Sequence, residues 1–145
     1  MNANNELLEH IYKDAVMGIN SMTDLSKVLK TKDNKIKGDV EDILKGYEKF
    51  VNLSEKEMKK IKMDIPSNSI LADWGVKMNI KMEMSKDNSD SRVANMIIQG
   101  LNMGVISMTK KIEDYDKKAD KDIIKLAKTF LKYQNENIEL LKKYL

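Results

Sequence analysis

The chain of 145 residues has no cysteine, one proline, one histidine, one arginine and one tryptophan. Each scarcity removes a class of chemistry. Without cysteine there is no disulfide framework, thiolate nucleophile or zinc–thiolate site. The single histidine, His10, has no serine or threonine spaced to use it as a general base. Arg92 is the one arginine, so the guanidinium forks that read base edges and grip phosphates are missing. The lysines instead alternate with acids, as in Glu55-Lys56-Glu57, and the net charge is only +3. That pattern is a solvated helical surface, and no nucleic-acid partner is expected. No run approaches the roughly 18 apolar residues of a membrane span. Met1-Asn2-Ala3-Asn4-Asn5 lacks a basic stretch leading into an apolar one, so no signal peptide is expected and a cytoplasmic location is. Pro66 and six glycines leave few places where a helix would break.

What is present is helical periodicity. Apolar residues make up 41% and charged residues 34%, and the length suits one domain spanning 1–145. Leu8, Ile11, Ala15, Gly18, Met22, Leu25 and Leu29 share one face of a helix expected over about 5–30. A turn at Lys32-Asp33-Asn34 leads to a second helix over about 34–62, striped by Ile36, Val40, Ile43, Tyr47, Phe50, Ser54, Met58 and Ile61. Pro66 disfavours αR at the residue before it and marks the end of that helix. A shorter helix is expected over about 69–84, with Leu71, Trp74, Met78 and Met82 in one stripe. After the Ser85–Asp90 loop, where Ser89 or Asp90 suits a cap, comes a helix over about 91–116. Its stripe is Val93, Ile97, Leu101, Gly104, Met108, Ile112 and Tyr115. Met96, Ile98, Met103, Val105 and Ile106 make its flanks apolar too, so burial on more than one side is expected. The last helix, over about 120–144, carries Ile124, Ala127, Leu131, Gln134, Ile138, Leu141 and Leu145.

Four long helices and a shorter one between two hairpins predict an all-α bundle. The short element is long enough to cross the bundle and deliver the second hairpin the other way up, as in ferritin-like folds with one crossover. The rival is an up-down bundle with the extra helix docked outside. The sequence also resembles a family of unknown function, the ferritin-like proteins of Firmicutes. The likeness lies in Trp74-Gly75-Val76-Lys77-Met78, in Ala94-Asn95-Met96-Ile97-Ile98-Gln99-Gly100-Leu101-Asn102-Met103-Gly104 and in the closing Asn137–Leu145. It covers nearly the whole chain, but these are packing motifs. The resemblance implies an ancestral ferritin-like four-helix bundle whose relatives carry a di-iron site.

The ligands for such a site are missing. It needs a glutamate from each of two helices and Glu-x-x-His on each of the other two. Glu48-Lys49-Phe50-Val51 and Gln134-Asn135-Glu136-Asn137 are the nearest analogues, and neither contains histidine. Neutral amides are poor iron ligands. No catalysis and no cofactor are expected. Tyr47, Ser54 and Gln134 are the polar residues expected in the core, where either Tyr47 and Gln134 hydrogen-bond to each other or each bonds backbone or trapped water separately. Glu6, His10 and Asp14, spaced by four, line one edge of the first helix. They are a weak surface metal candidate and otherwise an exposed edge. The eleven methionines read as core filler rather than a copper site. Gly100 and Gly104 each cost about 1 kcal/mol against alanine in a helix. Packing of a bulky side chain such as Trp74 is the first expected compensation. A second subunit is the next, in a homodimer formed through the crossover helix and helix 91–116. The surface expected to carry an interaction therefore includes Trp74, Met78, Met82, Gly100 and Gly104. The function expected is non-catalytic, structural or interacting. The alternative is a metal- or small-ligand-binding bundle with a divergent site.

Overall fold

The computed structural model describes residues 2–67 and 88–145. They form four long helices, α1 Ala3–Leu29, α2 Lys37–Lys60, α3 Asp90–Tyr115 and α4 Lys121–Leu141, and a closing 3-10 turn, Lys142–Tyr144. There is no strand among the described residues. The expected crossover helix at 69–84, with Trp74, Met78 and Met82, lies outside them.

Local chemistry sets the helix ends. Asn2 caps α1, its side-chain oxygen accepting from the Asn5 N–H at 2.9 Å. Ser89 caps α3 in the same way through the Arg92 N–H. Helix α2 has no cap of its own. The two N–H groups just before it are met from the start of α3 by Asp90, which accepts from Lys35 N at 3.2 Å and Ile36 N at 3.3 Å. A carboxylate there also suits the positive end of the helix. At its other end α2 stops before Pro66 can act. Lys62 takes a left-handed conformation, φ 56°, and Met63 N donates back to Met58 O at 2.9 Å. The turn therefore closes on a 6→1 hydrogen bond.

Hydrogen bonds between helices give their directions. Tyr12 donates to Glu55 at 3.3 Å, and Ser26 donates to Glu41, so α1 and α2 are antiparallel. Asp90 opens α3 beside the start of α2. The start of α4 meets the start of α1, where Asp120 N donates to the Asn4 side chain at 2.8 Å. The chain then ends beside the start of α2, where Tyr144 bonds to Asp39. Helices α2 and α3 therefore run the same way, and the end of α2 and the start of α3 lie at opposite ends of the bundle. At 24 residues α2 is about 36 Å long.

The core follows the helical stripes, with two shifts. On α4 the buried positions include Phe130, Leu126 and Ile123, while Leu131 is half-buried and Leu145 is exposed. Phe130 packs edge-on against Phe50, ring centroids 4.9 Å apart, and with Tyr47 and Tyr133 forms an aromatic cluster between α2 and α4. On α3, Ile98 is buried as expected of a helix covered on several sides. Met103 and Ile106, however, are 64% and 71% exposed. No helix among the described residues is long and apolar enough to cross a membrane.

Candidate functional site

The polar interior is built one turn at a time along α1. Asp14, Gly18 and Met22 are spaced by four, so one row runs along the helix toward α3. Gly18 makes room for a neighbour: a Cβ there would lie 2.5 Å from the Tyr47 ring. On α3, Gly104 plays the same part for Gln134, whose amide nitrogen occupies the place of the missing side chain. These two glycines let a phenol and an amide enter a bundle otherwise filled with aliphatic side chains. A further close approach occurs at Gly46, against which the Tyr133 ring lies while its hydroxyl donates to Ile43 O at 2.6 Å.

The expected core polar residues are all inside. Ser54 is fully buried, Gln134 is 2% exposed and Tyr47 is buried against Phe130 and Tyr133. The Tyr47–Gln134 hydrogen bond is not made. Gln134 Oε1 has no hydrogen-bond partner. The Tyr47 ring lies against Gly18 and the Gln134 amide against Gly104. Ser54 Oγ likewise finds no partner.

The edge expected to be exposed is instead half-buried at Glu6, His10 and Asp14. His10 and Asp14 side chains are 18% and 23% exposed, and both His10 Nε2 and Asp14 Oδ2 are buried without a hydrogen bond. The two atoms lie 3.5 Å apart, within ion-pair range but misaligned for a hydrogen bond. Burial holds the His10 imidazole down to about 4, with Lys111 and Lys13 acting in the same direction, so the ring is neutral at pH 7. Burial pushes the Asp14 carboxyl up to about 7, against the smaller opposing pull of Lys13. The contact is therefore no strong ion pair at neutral pH. Burial and the nearby Asp14 charge also push the Tyr47 phenol up, so it stays protonated. The set Glu6, His10 and Asp14 does not converge, and among the described residues no three His, Cys, Asp or Glu side chains are placed to hold one metal ion.

Asp14, Gly18, Tyr47, Gly104 and Gln134 instead line one cavity of about 420 Å³ between α1 and α3. Ser21, with its own unpartnered hydroxyl, and Met17, Met22, Met96, Leu101 and Met103 complete much of its wall. Gly100 opens onto it: no described atom lies within 4 Å of a Cβ built there, so Gly100 is not a site of close helix packing in this part of the chain. Arg92 stands at the far end. The volume falls in the range of small-molecule sites, and an apolar wall with few polar groups is their usual make-up. Two depressions along α2, lined mainly by Lys45, Glu48, Lys49, Asn52, Glu55 and Lys56, are solvated charged surface.

Comparison with protein families, curated proteins and solved structures finds no match. The geometry of the cavity therefore carries the functional reading. Sequence reasoning found Tyr47, Gln134 and Gly104 but missed the cavity and the burial of Asp14. The available signal was the i, i+4 row that links Asp14 to Gly18 and Met22, both members of the apolar stripe.

Proposed function

We propose that this protein is a non-catalytic, ferritin-like bundle that lacks the di-iron site and binds a small organic ligand in the α1–α3 cavity. The ferritin-like assignment is supported by the common direction of α2 and α3, which requires one long connection between the ends of the bundle. The ligand reading rests on one observation: a cavity of about 420 Å³ walled by apolar side chains and holding unpartnered polar atoms of Asp14, Ser21 and Gln134. A buried polar atom left unpaired costs about 1–3 kcal/mol, and a bound ligand recovers that cost. An organic ligand fits better than a metal ion, because the cavity is much larger than one ion and Asp14 is its only carboxylate among the described residues. A cytoplasmic location accompanies this proposal.

Gly100→Leu tests it. The new side chain meets no described neighbour and fills the cavity, and leucine favours the helix over glycine. In ligand-observed NMR, a set of small amphipathic compounds should give binders with the wild-type chain and none with Gly100→Leu. Equal binding by both proteins, or none by the wild type, overturns the reading.

A second reading, an interaction surface on α3, is favoured by the exposed Met103 and Ile106. If the chain pairs there, light scattering gives about twice the 16.7 kDa chain mass. Ile106→Lys then restores the monomer. A wild-type monomer at 100 µM, a concentration of roughly 10⁻⁴ M in affinity terms, removes the homodimer.

A further inference from the structure

We propose that the ligand of the α1–α3 cavity is a single-chain amphiphile with a carboxylate head, the head on Arg92 and the chain running between α1 and α3 toward Gly104. This proposal rests on the small-ligand reading above and adds to it the charge of the head group and the direction in which the ligand lies.

The cavity has a long axis with unlike ends. On α3, Arg92, Met96, Gly100 and Gly104 are spaced by four and all belong to the wall, so one row of the helix runs along it. From Arg92 to Gly104 the row covers 12 residues, about 18 Å. Its Gly104 end is closed by the Gln134 amide, which occupies the place of the missing side chain. In the middle it is open, since no described atom lies within 4 Å of a Cβ built on Gly100. Spread along such a row, a volume of about 420 Å³ suits an extended chain better than a fused ring.

Charge sets the direction. Arg92 and Asp14 are the charged side chains of the wall among the described residues. They differ in access. Asp14 Oδ2 is buried, whereas Arg92 is exposed and can meet a head group that keeps part of its water. Asp14 lies beside the Gly104 end, 3.8 Å from a Cβ built there. Its charge is therefore well beyond the Debye length of about 8 Å from an anion on Arg92. The nearest acid in sequence, Asp90, is engaged by Asn34 Nδ2 at 3.0 Å and by the N–H groups of Lys35 and Ile36. A guanidinium presents a planar fork that matches the two oxygens of a carboxylate, and such charge-assisted hydrogen bonds are roughly twice as strong as neutral ones.

The wall beyond Arg92 suits hydrocarbon. Met96, Ile97 and Leu101 of α3 meet Met17 and Met22 of α1 around the space. Methionine fills irregular gaps and adapts to the shape of a chain.

Calorimetric titration with octanoate, 1-octanol and n-octylammonium tests the proposal. The three share one chain and differ in head-group charge. Octanoate should bind about fivefold tighter than octanol or more, with octylammonium weakest. Arg92→Gln should weaken octanoate about fivefold and leave octanol within about twofold, with circular dichroism checking that the variant folds. Arg92→Lys, which keeps the charge and loses the fork, should fall between the two. Raising the salt from about 0.05 M to about 0.5 M should weaken octanoate and leave octanol unchanged. Gly100→Leu should abolish binding of both. If octanol or octylammonium binds as tightly as octanoate, or Arg92→Gln or Gly100→Leu binds octanoate as the wild type does, the carboxylate assignment falls. It falls alone if none of the three binds while the amphipathic set above gives a binder. If that set gives no binder either, the small-ligand reading falls with it.

Discussion

Phe130→Ala should lower unfolding stability by about 3–5 kcal/mol, the usual cost of truncating a fully buried phenylalanine. Phe130 is completely buried, and its ring contacts Phe50 at 4.9 Å, Tyr133 at 6.1 Å and Tyr47 at 6.3 Å between centroids. These residues join α2 to α4, so the cavity left by the truncation opens between the two hairpins. Neighbouring rings can relax only partly into it, because Tyr133 is held by its hydrogen bond to Ile43 O and Tyr47 by its seat on Gly18. For a domain of this size each kcal/mol moves the melting temperature by about 2–4 °C, so a fall on the order of 10 °C is expected. Leu131→Ala is the informative comparison. Leu131 stands on the apolar stripe read from the sequence, yet it is only half-buried. It should cost clearly less than Phe130→Ala in urea unfolding followed by circular dichroism. The reverse order would contradict the packing of α4 described above.

The second large effect is on the pH dependence of stability. Asp14 and His10 are displaced in opposite senses by the same burial, Asp14 from 3.8 to about 7 and His10 from 6.5 to about 4. Consider Asp14 alone. Between about pH 4 and 7 the folded carboxyl keeps its proton while the unfolded one has lost it. The folded state then binds more protons, so its stability falls as the pH rises through that window. For His10 the folded ring is neutral while the unfolded one is protonated. Its contribution to stability is therefore present above 6.5 and is lost as the pH falls toward 4. The two slopes oppose each other over most of this range, and the wild type should show little net slope from the pair. Single substitutions expose each group. His10→Gln leaves the Asp14 slope, and stability should fall by about 2–4 kcal/mol from pH 4 to pH 7. Asp14→Asn leaves the His10 slope, and stability should rise by about 2–3 kcal/mol from pH 4 to pH 6.5. Urea midpoints measured at half-unit pH steps read both. Parallel profiles for the wild type and the two variants would show that neither group titrates away from its ordinary range.

These results bear on function because both concern the walls of the cavity. The aromatic cluster behind Tyr47 fixes the rigid side, and Asp14 supplies a buried carboxyl whose proton is held up to about pH 7. Partial burial of one carboxylate beside a neutral histidine is unfavourable for the protein alone. Such arrangements concentrate at functional sites, where a bound group makes use of the strained ionisation. This supports a binding role for the interior without requiring any step of catalysis.

The sequence by itself determined the helices and most of their inner faces. Spacings of three and four bring Leu8, Ile11, Ala15, Met22 and Leu25 to one side of α1 whatever the helix packs against, because that follows from 3.6 residues per turn. The same rule placed the whole α2 stripe from Val40 to Met58, Tyr47 and Ser54 included. Missing residue types also set limits independent of the fold: no arrangement of this chain can supply cysteine ligands or a second histidine. Tertiary structure decided what lies at the margins of the stripes, where rotation of a helix by a fraction of a turn exchanges buried and exposed positions. It moved Asp14 from an expected exposed edge into the wall of a cavity and put Phe130 rather than Leu131 at the centre of α4's buried face. It also left Met103 and Ile106 uncovered on a helix whose sequence is apolar nearly all round. Periodicity tells which residues share a face. Only the angles and separations of four helices determine how wide that face is, and which side chains two glycines on different helices admit.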